Sequence, residues 1–115
     1  MITVPVDLGD RSYDVLVGAG ARHRLLEVLP VGAQRAAVVT QAAVEVPVDP
    51  GVEHQVFLID DGEAAKSMET VEDLCRRFAR WGLTRADVVV AVGGGVVTET
   101  AGFAAAVYHR GVPVV

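Results

Sequence analysis

The apolar positions change period along the chain, and the changes mark the elements. Ile2–Leu8 (ITVPVDL) and Ser12–Gly18 (SYDVLVG) are short, β-branched and alternating, with Gly9-Asp10-Arg11 between them. That pattern predicts a β-hairpin. Ala21–Pro30 offers a short helix with Pro30 near its end. Arg35–Thr40 reads as a buried strand and His54–Ile59 as another. The proline- and glycine-rich stretch Glu45–Glu53 connects them.

The clearest helix runs from about Ser67 to Trp81. Val71, Leu74, Cys75, Phe78 and Trp81 share one helical face. Glu72 with Arg76 and Asp73 with Arg77 form acid-first i,i+4 pairs on the other side. Thr70–Asp73 (TVED) matches a capping box at, or one turn inside, the start. Gly82-Leu83 reads as a glycine stop with its hydrophobic partner. Asp87–Val92 is continuously apolar after its first residue, as in a strand covered on both faces. Gly93-Gly94-Gly95 follows, then a helix over Val97–Arg110. Strands alternating with helices imply right-handed crossovers. The expected fold class is α/β and Rossmann-like: a mostly parallel sheet, flanking helices and an N-terminal β-hairpin.

Composition narrows the function. The 115 residues suffice for one compact domain, and 51% are hydrophobic, which argues for a packed core. The net charge of −5 gives no electrostatic footprint for nucleic acid. The single Cys75 cannot form an internal disulfide and falls on the apolar helix face, as an inert core thiol does. The N-terminus does not read as a signal peptide, and no long uninterrupted apolar run predicts a membrane span. The expectation is therefore a cytoplasmic protein that binds neither nucleic acid nor membrane. His23, His54 and His109 lack paired-ligand spacing, so no metal site is expected within these residues.

Three stretches can carry chemistry. A glycine turn between a strand and a helix presents backbone N–H groups to a diphosphate. It can equally be a tight turn required by packing. Gly18–His23 (GAGARH) is half a dinucleotide fingerprint and reads as a plain turn. Asp60–Thr70 places Glu63 and Lys66 on one side of a loop. There a carboxylate can grip a ribose diol and an ammonium a phosphate, or both can simply be solvated. Glu99 is expected in the first turn of the last helix, and His109 and Arg110 in its last, each favoured by the helix dipole.

Together, DGEAAKSMETVEDL and ADVVVAVGGGVVTETAGFAAAVYHRGVPVV resemble 3-dehydroquinate synthase and the related sugar phosphate cyclases. The resemblance implies an N-terminal NAD-binding domain. It places Asp61, Gly62, Glu63 and Lys66 along the adenosine side of NAD. It places Gly94, Gly95, Val96 and Val97 at the pyrophosphate and Glu99 towards the nicotinamide. Arg110 is implied as a substrate-phosphate residue, in some members across a homodimer interface. Two positions depart from the family pattern. Glu99 stands where aspartate is usual, and Gln41 where many members have an acidic residue.

The implied activity is that of a phosphate-eliminating carbon–oxygen lyase of aromatic amino acid biosynthesis (the shikimate pathway). It cyclises a seven-carbon sugar phosphate, with NAD and a divalent metal, zinc or cobalt. The family's metal ligands, a glutamate and two histidines, fall outside this sequence. The chain stops at Val115 in what reads as a strand just begun. Residues 1–115 are therefore expected to be a truncated N-terminal domain with no catalytic residue of its own, inactive alone. The other readings are a valiolone- or inosose-type cyclitol synthase, a metal-dependent polyol dehydrogenase, and a non-catalytic nucleotide-binding module.

Overall fold

A computed structural model describes all residues, 1–115. Strands β1 (Ile2–Val6) and β2 (Tyr13–Val17) pair antiparallel, Ile2 opposite Val17 and Val6 opposite Tyr13. The hairpin forms its own two-stranded sheet. Its connection is a 3-10 turn, Gly9–Arg11, braced by the Ser12 hydroxyl, which donates to the Gly9 carbonyl at 2.7 Å. The predicted helix over Ala21–Pro30 is only partly α-helical. A 3-10 turn, Ala21–Arg24, precedes a single α turn, α1 (Leu25–Val28). Gly20 adopts φ +83° to enter it, so GAGARH is indeed a turn.

The main sheet holds β3 (Arg35–Gln41), β4 (Glu53–Ile59) and β5 (Val88–Ala91), all parallel, in the order β4-β3-β5. Helix α2 (Met68–Trp81) links β4 to β5, and α3 (Gly95–Val107) follows β5. Both helices pack on one face, and the period of two along the strands sorts the core. Ala37, Val39, Phe57, Ile59 and Val89 meet Val71, Leu74, Phe78, Val97, Ala101 and Ala104. Ala36, Val38, Val88 and Val90 face the other way, towards Leu25 of α1. That two-sided burial is why β5 reads as an unbroken apolar run. After α3, Val114 bridges in parallel to Val89, continuing the sheet beyond β5. No helix is long and apolar enough to cross a membrane.

Helix α2 matches its predicted ends closely. Ser67, not Thr70, is the N-cap: its oxygen accepts the Thr70 N–H at 3.2 Å. At the other end Gly82 takes φ +81°. The Leu83 N–H donates to the Phe78 carbonyl at 3.0 Å and that of Gly82 to Ala79 at 3.1 Å. This is the paired closure that a glycine stop with a hydrophobic partner provides. The Arg35 guanidinium satisfies two more carbonyls there, Trp81 at 3.1 Å and Gly82. It also lies over the Trp81 ring and 3.5 Å from the buried Asp87 carboxylate.

Thr100 of α3 is 3% exposed, and its hydroxyl has no hydrogen-bond partner. Leaving a polar group buried and unpaired costs more than replacing it by an apolar group of the same shape. Thr100→Val should therefore raise unfolding free energy by about 1 kcal/mol, read as a higher urea midpoint at unchanged slope.

Helix α3 differs from its predicted bounds. It begins at Gly95, two residues earlier than expected, and ends at Val107, three residues earlier. Glu99 is thus its fifth residue, beyond the first turn, where the dipole effect has faded. His109 and Arg110 are not in the helix's last turn. They adopt left-handed backbone, φ +49° and +61°. The buried Tyr108 pins the helix end, its hydroxyl donating to the Leu83 carbonyl at 2.8 Å. The chain must then turn back at once for Val114 to reach β5.

Candidate functional site

In open parallel sheets, ligands bind outside the carboxyl ends of the strands. Here β3, β4 and β5 end together, and two loops rise from that edge: Asp60–Lys66 after β4 and Val92–Gly94 after β5. The second is held firmly. The Thr40 hydroxyl donates to the Val92 carbonyl at 2.7 Å, and the Val92 N–H donates to the Val39 carbonyl at 2.9 Å. The Thr98 hydroxyl lies 3.3 Å from the Gly94 carbonyl. Thr40 and Thr98 are supporting residues that the sequence pattern did not single out. For Thr40 the available signal was a polar residue closing an otherwise apolar strand.

The three glycines do different work. Gly93 has φ +153°, and a Cβ there would lie 2.7 Å from Val97 Cγ2. Packing alone accounts for it. Gly94 has φ −80°, and a Cβ on it would meet nothing within 4 Å. A Cβ on Gly95 would meet only Glu99 Oε1, at 4.0 Å. Neither backbone conformation nor neighbours require glycine at these two positions. They open onto the start of α3, where no side chain caps the helix. The N–H groups of Gly95, Val96 and Val97 belong to its unpaired first turn. The residues therefore fit a diphosphate, which needs close backbone approach and free donors.

The Asp60–Lys66 loop is tied to the end of β3 and to the turn that follows it. The Gln41 side-chain amide donates to the Asp60 carbonyl at 2.9 Å, and the Asp61 carboxylate accepts the Ala43 N–H at 3.1 Å. Gln41 thus spends its amide on the loop backbone. Gly62 takes φ +85°, then Glu63–Ala65 form a 3-10 turn. Lys66 Nζ lies 3.9 Å from Glu63 and forms an ion pair with Glu99 of α3. The hydrogen bond to Glu99 holds the Lys66 ammonium above its usual range, with the charge of Glu99 and then of Glu63 adding to it. All three side chains are solvent-exposed.

The structure thus gathers Glu63, Lys66, Glu99 and the glycine turn at one edge. It does not bring Arg110 there. Arg110 lies past the far end of α3, a 13-residue helix about 20 Å long at 1.5 Å per residue. A cavity of about 300 Å³ flanks the ion pair, walled by Lys66, Met68, Val71, Glu99, Thr100 and Phe103. The largest cavity, about 520 Å³, lies elsewhere, between the hairpin, α1 and Val114–Val115, and is mainly apolar.

Residues 56–115, more than half the chain, match the family model described as 3-dehydroquinate synthase N-terminal. The chain belongs to the 3-dehydroquinate synthase family. Within that family it is 54% identical over 114 residues to an Amycolatopsis mediterranei protein provisionally named aminodehydroquinate synthase. The match covers 98% of this chain and 32% of that one. It is 41% identical to the 3-dehydroquinate synthase of Nitrobacter hamburgensis, covering 96% of this chain and 32% of the relative. Among solved structures it resembles the 2-epi-5-epi-valiolone synthase of Streptomyces hygroscopicus, crystallised with NAD+ and Zn2+. That likeness has a TM-score of 0.70 at 31% identity and covers 95% of this chain and 33% of that one. The chain spans about a third of the length of the relatives it matches. Its Rossmann-like domain is the N-terminal domain of the 3-dehydroquinate synthase-like sugar phosphate cyclases.

Proposed function

We propose that residues 1–115 form the NAD-binding domain of a 3-dehydroquinate synthase, a cytoplasmic homodimer of the shikimate pathway. A second domain would supply the divalent metal site, for zinc or cobalt, and most of the substrate site. On this reading the 115 residues alone are inactive. The observation that carries it is the pair Gly94 and Gly95, which nothing in the fold requires to be glycine.

Each residue then has a task. Gly94 and Gly95 let the pyrophosphate reach the first-turn N–H groups, those of Val96 and Val97 included. Asp61, Gly62, Glu63 and Lys66 lie along the adenosine side, with Asp61 already braced against Ala43. Lys66 is the one cation among Asp60, Asp61, Glu63 and Glu99, so anion binding rests chiefly on backbone dipoles. Glu99, towards the nicotinamide, must release Lys66 when the cofactor enters. Arg110 binds the substrate phosphate. When bound, NAD supplies a reversible hydride acceptor, so that a secondary alcohol becomes a ketone for as long as phosphate elimination requires.

A second reading concerns the substrate. The relative named aminodehydroquinate synthase is 54% identical, against 41% for the Nitrobacter enzyme. That difference favours an amino analogue of the same sugar phosphate. The test is phosphate release by the full-length protein with NAD and zinc. Faster release from the seven-carbon sugar phosphate supports the first reading, and faster release from its amino analogue supports the second. Release from neither, with a cyclitol precursor turned over instead, would sink both.

A further inference from the structure

Eleven residues have positive φ, and nine of them are glycine; the two exceptions are His109 and Arg110. These two lie side by side, at φ +49° and +61°, with Gly111 next at +125°. A side chain in this region is strained against its own backbone. Strain of this kind persists only where the surroundings enforce it, and it gathers at functional sites.

The surroundings do enforce it. Tyr108 is buried, its ring 5.6 Å from that of Phe78 and its hydroxyl bonded to Leu83. The Gly111 N–H donates to the Tyr108 carbonyl at 2.9 Å, and the Val112 N–H to the Ala105 carbonyl at 2.8 Å. The Arg85 guanidinium reaches the Gly111 carbonyl at 3.4 Å. With both ends fixed, His109 and Arg110 have no room to relax. Yet both side chains are exposed, and the fold draws no hydrogen bond or ion pair from either. The one contact is the His109 ring against that of Tyr108, centroids 4.4 Å apart. The fold gains little from these two side chains and would be served by glycine.

We infer that His109 is a positioning residue, whose clamped left-handed backbone aims Arg110 at an anionic group of the substrate. The inference rests on the reading of Arg110 as a substrate-phosphate residue. A fixed backbone and the Tyr108–His109 contact limit the directions open to the guanidinium. Less of its freedom is then lost on binding, which favours the bound state.

The test compares three variants of the full-length protein in sugar phosphate turnover, with the thermal midpoint measured beside each. His109→Gly removes the ring contact with Tyr108 and widens the backbone freedom next to Arg110. It should raise KM about fivefold, the effect of leaving one long side chain to be ordered on binding, with kcat and midpoint close to wild type. His109→Asn, which tolerates the left-handed region, should keep KM near the wild-type value. Arg110→Ala tests the underlying reading and should raise KM further. If Arg110→Ala raises KM and His109→Gly does not, the positioning role is overturned while Arg110 keeps its task. If Arg110→Ala leaves KM unchanged, both fall.

Discussion

Valine at position 95 is expected to abolish measurable NAD binding in calorimetry and to leave the fold intact. The two halves of that result have separate causes. A Cβ at Gly95 meets nothing nearer than Glu99 Oε1, at 4.0 Å, so the free protein has room for a side chain. Gly95 is the first residue of α3 and has no positive φ. Glycine in a helix costs about 0.5–1 kcal/mol relative to alanine, so removing it carries no fold penalty of its own. The branched side chain would instead fill the space through which a diphosphate reaches the first-turn N–H groups. Hydrogen bonds to a charged group contribute about 1.5–3 kcal/mol each. Losing two of them lowers affinity roughly 100-fold or more, since each 1.4 kcal/mol is tenfold. An unchanged affinity for NAD, in a protein with an unchanged thermal midpoint, would remove the pyrophosphate cradle from the reading.

The sheet, α2 and the strand–glycine–helix unit were legible because each rests on local periodicity. The apolar face from Val71 to Trp81 and the run Val88–Val90 leave few alternatives for where those segments pack. The N-terminal helix was less legible. Its pattern from Ala21 to Pro30 contains too few core contacts to impose α geometry, and only Leu25 is buried. What the sequence could not supply was anything set by distant partners. Arg35 meets Asp87 across 52 positions, and no local pattern pairs them. The end of α3 is of the same kind. Composition allows the helix to continue to Arg110, but Tyr108 is pinned to Leu83, 25 positions away. In the site, the motif residues Glu63, Lys66 and Glu99 could be named from sequence. That Lys66 and Glu99 pair with one another could not, because it depends on the approach of the Asp60–Lys66 loop to α3.

Gly93→Ala should behave in the opposite way to Gly95→Val: the fold suffers before any ligand is involved. Two penalties coincide there. The φ of +153° suits glycine, and holding a side chain in such a region costs about 1–3 kcal/mol. The new Cβ would also sit 2.7 Å from Val97 Cγ2 and 3.0 Å from Val97 Cβ. Val97 is fully buried against the sheet and cannot give way cheaply. Overpacking of this sort typically costs a further 1–3 kcal/mol. The expected loss is about 3 kcal/mol, or roughly a 10 °C drop in thermal midpoint for a domain of this size. Gly94→Ala, one residue on, has φ −80° and nothing within 4 Å of the new Cβ, so its midpoint should stay close to wild type. Similar midpoints for the Gly93 and Gly94 variants would overturn this division of labour. A large gap, with Gly93→Ala the less stable, separates the glycine that packing needs from the two that packing leaves free to face a ligand.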